Sequence, residues 1–553
     1  MQSFTLVTAI IEFGSEGPEE TCEYKLENLC NFLNLYRGRV IIFADREYVQ
    51  LRHFPMAQII LFDYLRDSWI YAESVPYKDS LPSVRNHIKD TFAHLCLTQM
   101  KIEFLQKAIE NCGNNERDIF AWINPQIYSS FKTPVSTINY LNYLSLQHFS
   151  VYSVVVPGCW EKPKWVDYNN VCWRFSGNFF FGTASAISEL HSFYHSMYAF
   201  LLKANRQMTW DVNMFAQLED LRQNLFIWYK GNHDDSVFSI PTALYSANLS
   251  ACSDKISIKL PIEIPGFFPS SSSIVDNLLF TRYVNYVINP DGRYTVFNVD
   301  GQLQTVNVMS NCASTNANNS CIISDSNIGL RRFDKNKKYT GLEDVRVHRR
   351  SNGQIGFVAS STTYVADDTI RIIKGIIQVD GTPSFVDGVV LQPPHGVYST
   401  CEKNWIPLDK DDHYIYRWHP YEIVKTNGKG HTEIIASRII HNTLFEKVRG
   451  SSAPVWCEKD SCYVCVVHWA EHNEFAKTLQ YYHMLVRLDR EYNVIAWSQP
   501  FHFANVGIQY CLGFGMKDGN YEFWFSENDG NPAFMCSCSS RFSFVTLDGK
   551  CAE

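Results

Sequence analysis

The chain predicts two folds in series, an α/β half followed by an all-β half. Strands and helices alternate up to about residue 245, the helical period disappears from about Phe268, and Asp, Asn and Gly turns then recur at near-constant intervals. At 553 residues the polypeptide exceeds what one hydrophobic core supports, so two domains are expected. With 46% apolar and 14% aromatic residues there is ample material for buried cores and little room for long disorder.

In the front half, short β-branched or aromatic runs at Phe4–Phe13, Gly38–Ala44, Ala57–Tyr64 and Asp118–Tyr128 read as strands. Between them, Glu20–Leu35, Val84–Asn111 and Ala184–Leu202 carry apolar residues at helical spacing. Such an alternation predicts a mostly parallel sheet with helices on its faces and a ligand beyond the carboxyl ends of the strands. Three polar stretches qualify for that place: Trp122-Ile123-Asn124-Pro125, Arg174 to Gly182 with Gly177 and Asn178, and Asp211 with the run His233-Asp234-Asp235. Asp211 is read either as a base or as a helix cap, and His233 to Asp235 either as ligands or as a turn.

In the back half, turn centres at Asp291, Asn352, Asp411, Asp460 and Gly519 lie 61, 59, 49 and 59 residues apart. Five repeated sheets around an axis would make a five-bladed β-propeller, with a β-sandwich as the other reading. The domains are read as 1–248, a linker at 249–274, and 275–553.

Several function classes are excluded at this level. A formal net charge of −8, with no dense basic block beyond the short run Arg331–Lys338, argues against nucleic acid as a partner. No apolar run is long enough to span a bilayer, and the first residues lack a secretory pattern, so a soluble cytoplasmic protein with reduced thiols is expected from its seventeen cysteines. Cys462 and Cys465 fall three apart in a strand pattern, on opposite faces, so they do not read as a zinc knuckle.

At Thr5-Leu6-Val7-Thr8-Ala9, Trp122-Ile123-Asn124 and the two polar stretches that follow, residues 3–241 resemble the HtrL/YibB-like glycosyltransferase-type family. That resemblance implies a Rossmann-like, nucleotide-sugar-binding fold of the A type (GT-A). It also implies Asn124, Gly177 and Asn178 at the donor, Asp211 as catalytic base, and a Mn²⁺ or Mg²⁺ ion. The family carries a carboxylate where this chain has Asn124, which weakens a hard-cation site, and His233, Asp234 and Asp235 are the candidates to restore it.

The second resemblance rests on Gly341-Leu342-Glu343-Asp344-Val345-Arg346, Glu402-Lys403-Asn404-Trp405, Ile415-Tyr416-Arg417, Val448-Arg449-Gly450 and Val466-Val467-His468. In this order they resemble the motifs of glycoside hydrolase family 130, the β-mannoside phosphorylases, and related β-mannosyltransferases, over residues 275–545. The resemblance implies a five-bladed propeller with Asp344 as proton donor, and Asn404, Arg417, Arg449 and His468 holding inorganic phosphate or a sugar phosphate. Glu343, Arg346, Lys403, Trp405 and His483 are then expected at the sugar.

The expected activity is glycan synthesis by a two-domain carbohydrate-active enzyme. It would use a nucleotide sugar or sugar 1-phosphate as donor and a glycan or glycoconjugate as acceptor. The alternatives are a propeller that only binds glycan and a front domain that serves as a scaffold. An acid at Asp344 needs a raised pKa: burial and Glu343 act in that direction, and Arg346 opposes them.

Overall fold

The computed structural model describes residues 2–12, 22–113, 115–251, 253, 255–258, 262–298, 300–311, 320–333, 337–396, 399–473, 477–547 and 551–552. It divides into two compact units, Met1–Tyr245 and Ser246–Glu553. Residues 13, 20 and 21 of the first strand and helix read from the sequence, and 334–336 of the basic run, lie outside the described residues.

The first unit is built on one seven-stranded mixed sheet: β1 (Phe4–Ile10), β2 (Arg39–Ala44), β3 (Ala57–Leu61), β4 (Ile119–Ile123), β5 (Val154–Gly158), β6 (Phe179–Thr183) and β7 (Phe226–Lys230). Their order is β3-β2-β1-β4-β6-β5-β7. β1 is parallel to β2 and β4, β5 is parallel to β7, and β6 runs antiparallel to both β4 and β5. β1, β4, β5 and β6 are buried throughout, which is why they read as continuous apolar runs.

The helices Lys101–Cys112 and Ala184–Asn205 cover this sheet. Phe104 stacks between Phe43 and Trp122, with ring centroids 5.0 and 6.1 Å away. The single helix expected over Val84–Asn111 is two, Phe92–Gln99 and Lys101–Cys112, meeting at Met100. The opening of that stretch, Val84 to Thr91, is a polar turn in which Asn86 and Asp90 bond to each other's backbone.

The second unit is β-rich, and its sheets are arranged as in a propeller. Sheet I comprises Phe268–Val275, Leu278–Val284, Leu303–Asn311 and Ser320–Ile322. Sheet II comprises Glu343–Arg349, Ile355–Ser361, Arg371–Gln378 and Ser384–Val390, and sheet III Ile406–Pro407, His413–Trp418, Tyr421–Thr426 and Thr432–Arg438. Sheet IV is formed around Arg449–Gly450, Cys462–Asn473, Thr478–Leu488 and Val494–Ser498. Sheet V pairs Gln509–Lys517, Asn520–Glu527 and Gly530–Cys538. The first strands of neighbouring sheets pack side by side, Phe268–Val275 touching both Glu343–Arg349 and Gln509–Lys517. They therefore surround a common axis.

Two features differ from the sequence reading. Four of the five turn centres, Asn352, Asp411, Asp460 and Gly519, mark the same hairpin in sheets II to V, whereas Asp291 sits in a separate two-stranded hairpin, Tyr286–Ile288 with Tyr294–Val296. The matching turn of sheet I is at Asp276-Asn277, and the inserted hairpin hid it because both look alike as polar turns. The stretch 249–274 is also more than a linker. Lys255–Ser257 is the outer strand of sheet V, paired with Ala533–Met535, and Phe268 onward opens sheet I. It escaped notice because three exposed residues, Lys255 to Ser257, carry no apolar alternation.

Cys462 and Cys465 are both buried thiols on one strand of sheet IV. Among the described residues no helix is long and apolar enough to cross a membrane.

Candidate active site

Each unit holds one cavity where residues singled out in the sequence meet. In the second unit the cavity measures about 190 Å³ and is lined by Glu343, Asp344, Lys403, Asn404, Arg449 and His468, together with Arg282, Tyr481, Tyr510 and Asp529. These come from all five sheets: Glu343, Asp344, Lys403, Asn404, Arg449 and Tyr510 stand at the start of inner segments that face the axis, whereas Arg282, His468 and Tyr481 lie on later strands and Asp529 in the turn before Gly530–Cys538. Asp344 and Asn404 both adopt left-handed backbone, φ 52° and 64°, which Asp and Asn tolerate best among residues with a Cβ.

Arg282 organises the acidic side. Its Nη1 donates to Asp344 Oδ1 at 2.9 Å and lies 3.5 Å from Asp529 Oδ2, while Nη2 lies 3.5 Å from Glu343 Oε1 and donates to the Tyr286 hydroxyl. Lys403 Nζ donates to Glu343 Oε2 at 3.0 Å. Burial pushes the Asp344 carboxyl up, but Arg282, Arg346 and Lys403 outweigh it and hold it below the ordinary carboxylate range. Asp344 is therefore ionised at neutrality, so the raised pKa that a proton donor needs requires a further negative charge beside it.

Arg346 closes the floor. Its guanidinium donates to the backbone oxygens of Ser451, Gly450 and Asp344, to Asn404 Oδ1 at 3.1 Å and to the Tyr510 hydroxyl at 2.6 Å. Arg346 thus ties the inner segments of four sheets together, while the Asn404 amide NH₂ has no partner among the described residues. Arg449 is exposed to the cavity, and among the described residues no carboxylate pairs with it.

His468 Nδ1 bonds the Ser451 hydroxyl at 2.9 Å, and its ring stacks on Tyr481. Burial, with Arg346 and Arg449 beside it, pushes this imidazole down to about 3, so it is neutral. Its folded-state pKa is thus depressed below the unfolded value near 6.5. Between these two values the unfolded chain binds the extra proton, so stability falls as pH drops from about 6.5 toward 3. A His468→Gln variant is expected to flatten that part of the curve, seen by thermal unfolding across the same pH range.

Three expected members of this site lie elsewhere. Arg417 is outside the cavity: its Nε pairs with Glu422 Oε2 at 2.8 Å and its Nη2 meets His395 Nε2 at 2.9 Å. A β-bulge between Ile415 and Arg417 shifts the register and redirects the side chain. Trp405 is buried in the core beside Asn404, with its Nε1 donating to Glu402. His483 lies opposite His468, fully buried behind it, and accepts from the Cys511 amide.

Sequence reasoning missed Arg282, Tyr286 and Asp529. The available signal was the charged residue inside the apolar strand Leu278–Val284; Asp529 had none, because Asn528-Asp529-Gly530 reads as an ordinary turn.

The cavity of the first unit measures about 490 Å³ and is lined by Lys89, Lys101, Asn124, Gly177, Asn178, Trp173, Asp211 and His233, among others. It lies beyond the carboxyl end of β4, where Asn124 follows Ile123, and beside the start of the antiparallel β6, which Gly177 and Asn178 precede. Asn124 takes a structural role there: its backbone N–H donates to Asn178 O at 2.8 Å, its amide to Asn178 Oδ1 at 3.2 Å, and its Oδ1 accepts from the Gln126 N–H.

Asp211 opens the helix Asp211–Leu221 and forms a buried pair with Lys101, Nζ to Oδ2 at 2.6 Å. Lys101 also donates to the Gly177 carbonyl at 2.9 Å. A Cβ at position 177 would meet Lys101 Nζ at 2.8 Å and Asp211 Oδ2 at 2.9 Å, so glycine is what lets the pair sit against the backbone. Gly177→Ala is expected to displace the pair and to cost about 1–3 kcal/mol as an overpacked core does, measurable by denaturant unfolding.

The expected metal ligands do not gather. Asp234 caps a short turn by accepting from Ser236 N–H and hydroxyl, and Asp235 accepts from the Lys132 N–H and the Thr137 hydroxyl. His233 alone reaches the cavity, its ring edge-on to Trp173 at 4.4 Å. With the Asp234 and Asp235 carboxylates and the Asn124 oxygen already engaged by the protein, these residues do not fit a divalent cation. Among the described residues no three His, Cys, Asp or Glu side chains are grouped to hold one.

No family model and no curated protein matches the chain. Among solved structures it is similar to a β-1,2-mannobiose phosphorylase from Listeria innocua in complex with β-1,2-mannobiose, at 11% identity and TM-score 0.31, covering 51% of this chain and 93% of that one. It is similar also to MPT-4, a mannose phosphorylase from Leishmania mexicana in complex with phosphate ion, at 10% identity and TM-score 0.30, covering 53% and 89%. A third is described with the GH130 family of mannoside phosphorylases and hydrolases that target β-1,2 linkages in Candida mannan, at 9% identity and TM-score 0.34, covering 50% and 85%.

Proposed function

We propose that the chain is a carbohydrate-active enzyme whose second unit, counted as a five-bladed propeller, transfers a mannosyl group to or from phosphate. The observation that carries this reading is the composition of the 190 Å³ cavity: beside the carboxylates Glu343, Asp344 and Asp529, gathered around Arg282, it holds Arg449, Asn404 and a neutral His468. Arg449 supplies a positive charge with no carboxylate of its own, Asn404 unused amide donors, and His468 a ring that carries no competing charge. Such a set suits an anion.

An inverting transfer with phosphate as nucleophile needs only one protein acid. The anion requires placement and no deprotonation, unlike the water of a two-carboxylate glycosidase. In the direction of synthesis Asp344 is already the base form, able to take the proton of an acceptor hydroxyl as phosphate leaves. In the direction of phosphorolysis, a phosphate seated by Arg449 adds negative charge beside Asp344 and raises its pKa, which favours the protonated form that the leaving oxygen needs. Phosphate itself thus supplies an upward shift that the protein's own charges around Asp344 do not.

For the first unit we infer a nucleotide-sugar type of cavity. Its support is the strand order 3-2-1-4 with the cavity beyond the carboxyl ends, the place where open α/β sheets bind nucleotides. Lys89 and His233 at the walls and Trp173 beside them would meet phosphates and a flat ring. The Lys101–Asp211 pair favours the scaffold reading to this extent, that Asp211 is not poised as an unpaired base.

The test is binding of inorganic phosphate and of mannose 1-phosphate to the full chain by calorimetry. Arg449→Met, a change at an exposed position, is expected to weaken both about tenfold, in line with the loss of one charged hydrogen bond. Unchanged affinity would remove Arg449 from the site and with it the phosphate reading.

A further inference from the structure

We propose that the second unit carries a separate saccharide-binding site at the opposite end of its axis. In sheets II, III and V the inner segments begin at the small cavity and continue into a larger one of about 820 Å³: Glu343 and Asp344 lead to Val347–Arg349, Asn404 to Pro407–Asp409, and Tyr510 to Leu512–Lys517. Arg346 borders the larger cavity while its guanidinium holds Asn404 and Tyr510 of the smaller one, so it stands as the partition between them.

The wall of the larger cavity has the chemistry of a sugar platform. Trp524 packs against Phe534 across the strand pair of sheet V, centroids 5.1 Å apart, and Trp456 of sheet IV meets Tyr463 edge-on at 4.8 Å. Opposite Glu522 in the register stands Gly515, where a Cβ would come within 3.3 Å of the Trp524 ring and 3.4 Å of Glu522 Oε2. Glycine therefore keeps the space beside both groups open. Among the described residues Glu522 pairs with no cation, whereas Asp276 is taken by Arg349 and Asp409 by the Tyr463 hydroxyl.

A flat aromatic face receives the C–H side of a pyranose, and an unpaired carboxylate accepts from its hydroxyls. The occupant is a neutral oligosaccharide. This site is independent of the transfer chemistry assigned to the smaller cavity.

Saturation-transfer NMR on the full chain with β-1,4-mannotriose, cellotriose and chitotriose tests it. Transfer to the ring protons of at least one trisaccharide is expected, weakened about tenfold by Glu522→Gln, reduced by Gly515→Ala, and unchanged by Arg449→Met. Absence of transfer from all three at millimolar concentration overturns the proposal, as does transfer that survives both Glu522→Gln and Gly515→Ala, or that disappears with Arg449→Met.

Discussion

Asp344→Asn lowers the rate of phosphate release from mannose 1-phosphate, in the presence of a manno-oligosaccharide acceptor, by about 10²–10⁴-fold, the range that one general acid–base group contributes. The amide keeps the shape of the carboxyl and a hydrogen-bond acceptor for Arg282, so the loss falls on proton transfer. Removing this charge leaves Arg282 with Glu343 and Asp529, each 3.5 Å away, and the fold persists. Rates of wild type and variant, with circular dichroism as a check on folding, decide the matter: a variant that releases phosphate at the wild-type rate takes Asp344 out of the chemistry.

Arg282→Met destabilises the second unit by about 3–5 kcal/mol, as breaking a buried ion network from one side does. Arg282 is almost fully buried and stands between three carboxylates, Glu343, Asp344 and Asp529. Without it they face one another with only Lys403 in direct contact, and Lys403 touches Glu343. Arg282 is the first of the cations that hold the Asp344 carboxyl below its ordinary range, so the variant loses stability that wild type has above the unfolded carboxylate range and itself sheds as pH falls; the difference between the two narrows in acid. The midpoint of urea unfolding, followed at neutral pH and in the acid range, reads both effects; a variant as stable as wild type at neutrality would show that the cluster is hydrated and weak.

Much of the architecture was legible because it rests on periodicity. The buried strands β1 and β4 follow from short apolar runs and the helices over the sheet from helical spacing, though that spacing did not reveal the break at Met100. The recurring turns of sheets II to V were visible for the same reason, and the turn of sheet I was not, because the inserted hairpin at Tyr286–Val296 supplies a polar turn, Asn289 to Gly292, that reads at least as strongly as Asp276-Asn277.

The cavity of the second unit was legible in part, through motifs that place Glu343, Asp344, Lys403, Asn404 and Arg449 at the start of inner segments and His468 on the strand paired with Arg449. A motif fixes which residue types occur together and says nothing of local register. That is why Arg417, one bulge away, turns to Glu422, and why Trp405 and His483 point into packing. Arg282 and Asp529 join the cavity only through pairing between distant strands, a relation that a linear reading does not contain. In the first unit, Asp234 and Asp235 were open to a ligand or a turn reading; Asp234 caps the turn at Ser236, the commoner use of aspartate, and Asp235 accepts from Lys132 and Thr137.

The pairing of Lys255–Ser257 with Gly530–Cys538 bears on how the protein can be cut. A fragment that starts at the first obvious propeller strand would omit this short piece and leave a row of unpaired amides and carbonyls along Ala533–Met535, an open template for self-association. Fragments meant to isolate the second unit should therefore begin at Ser246, so that the segment preceding sheet I can seal the seam.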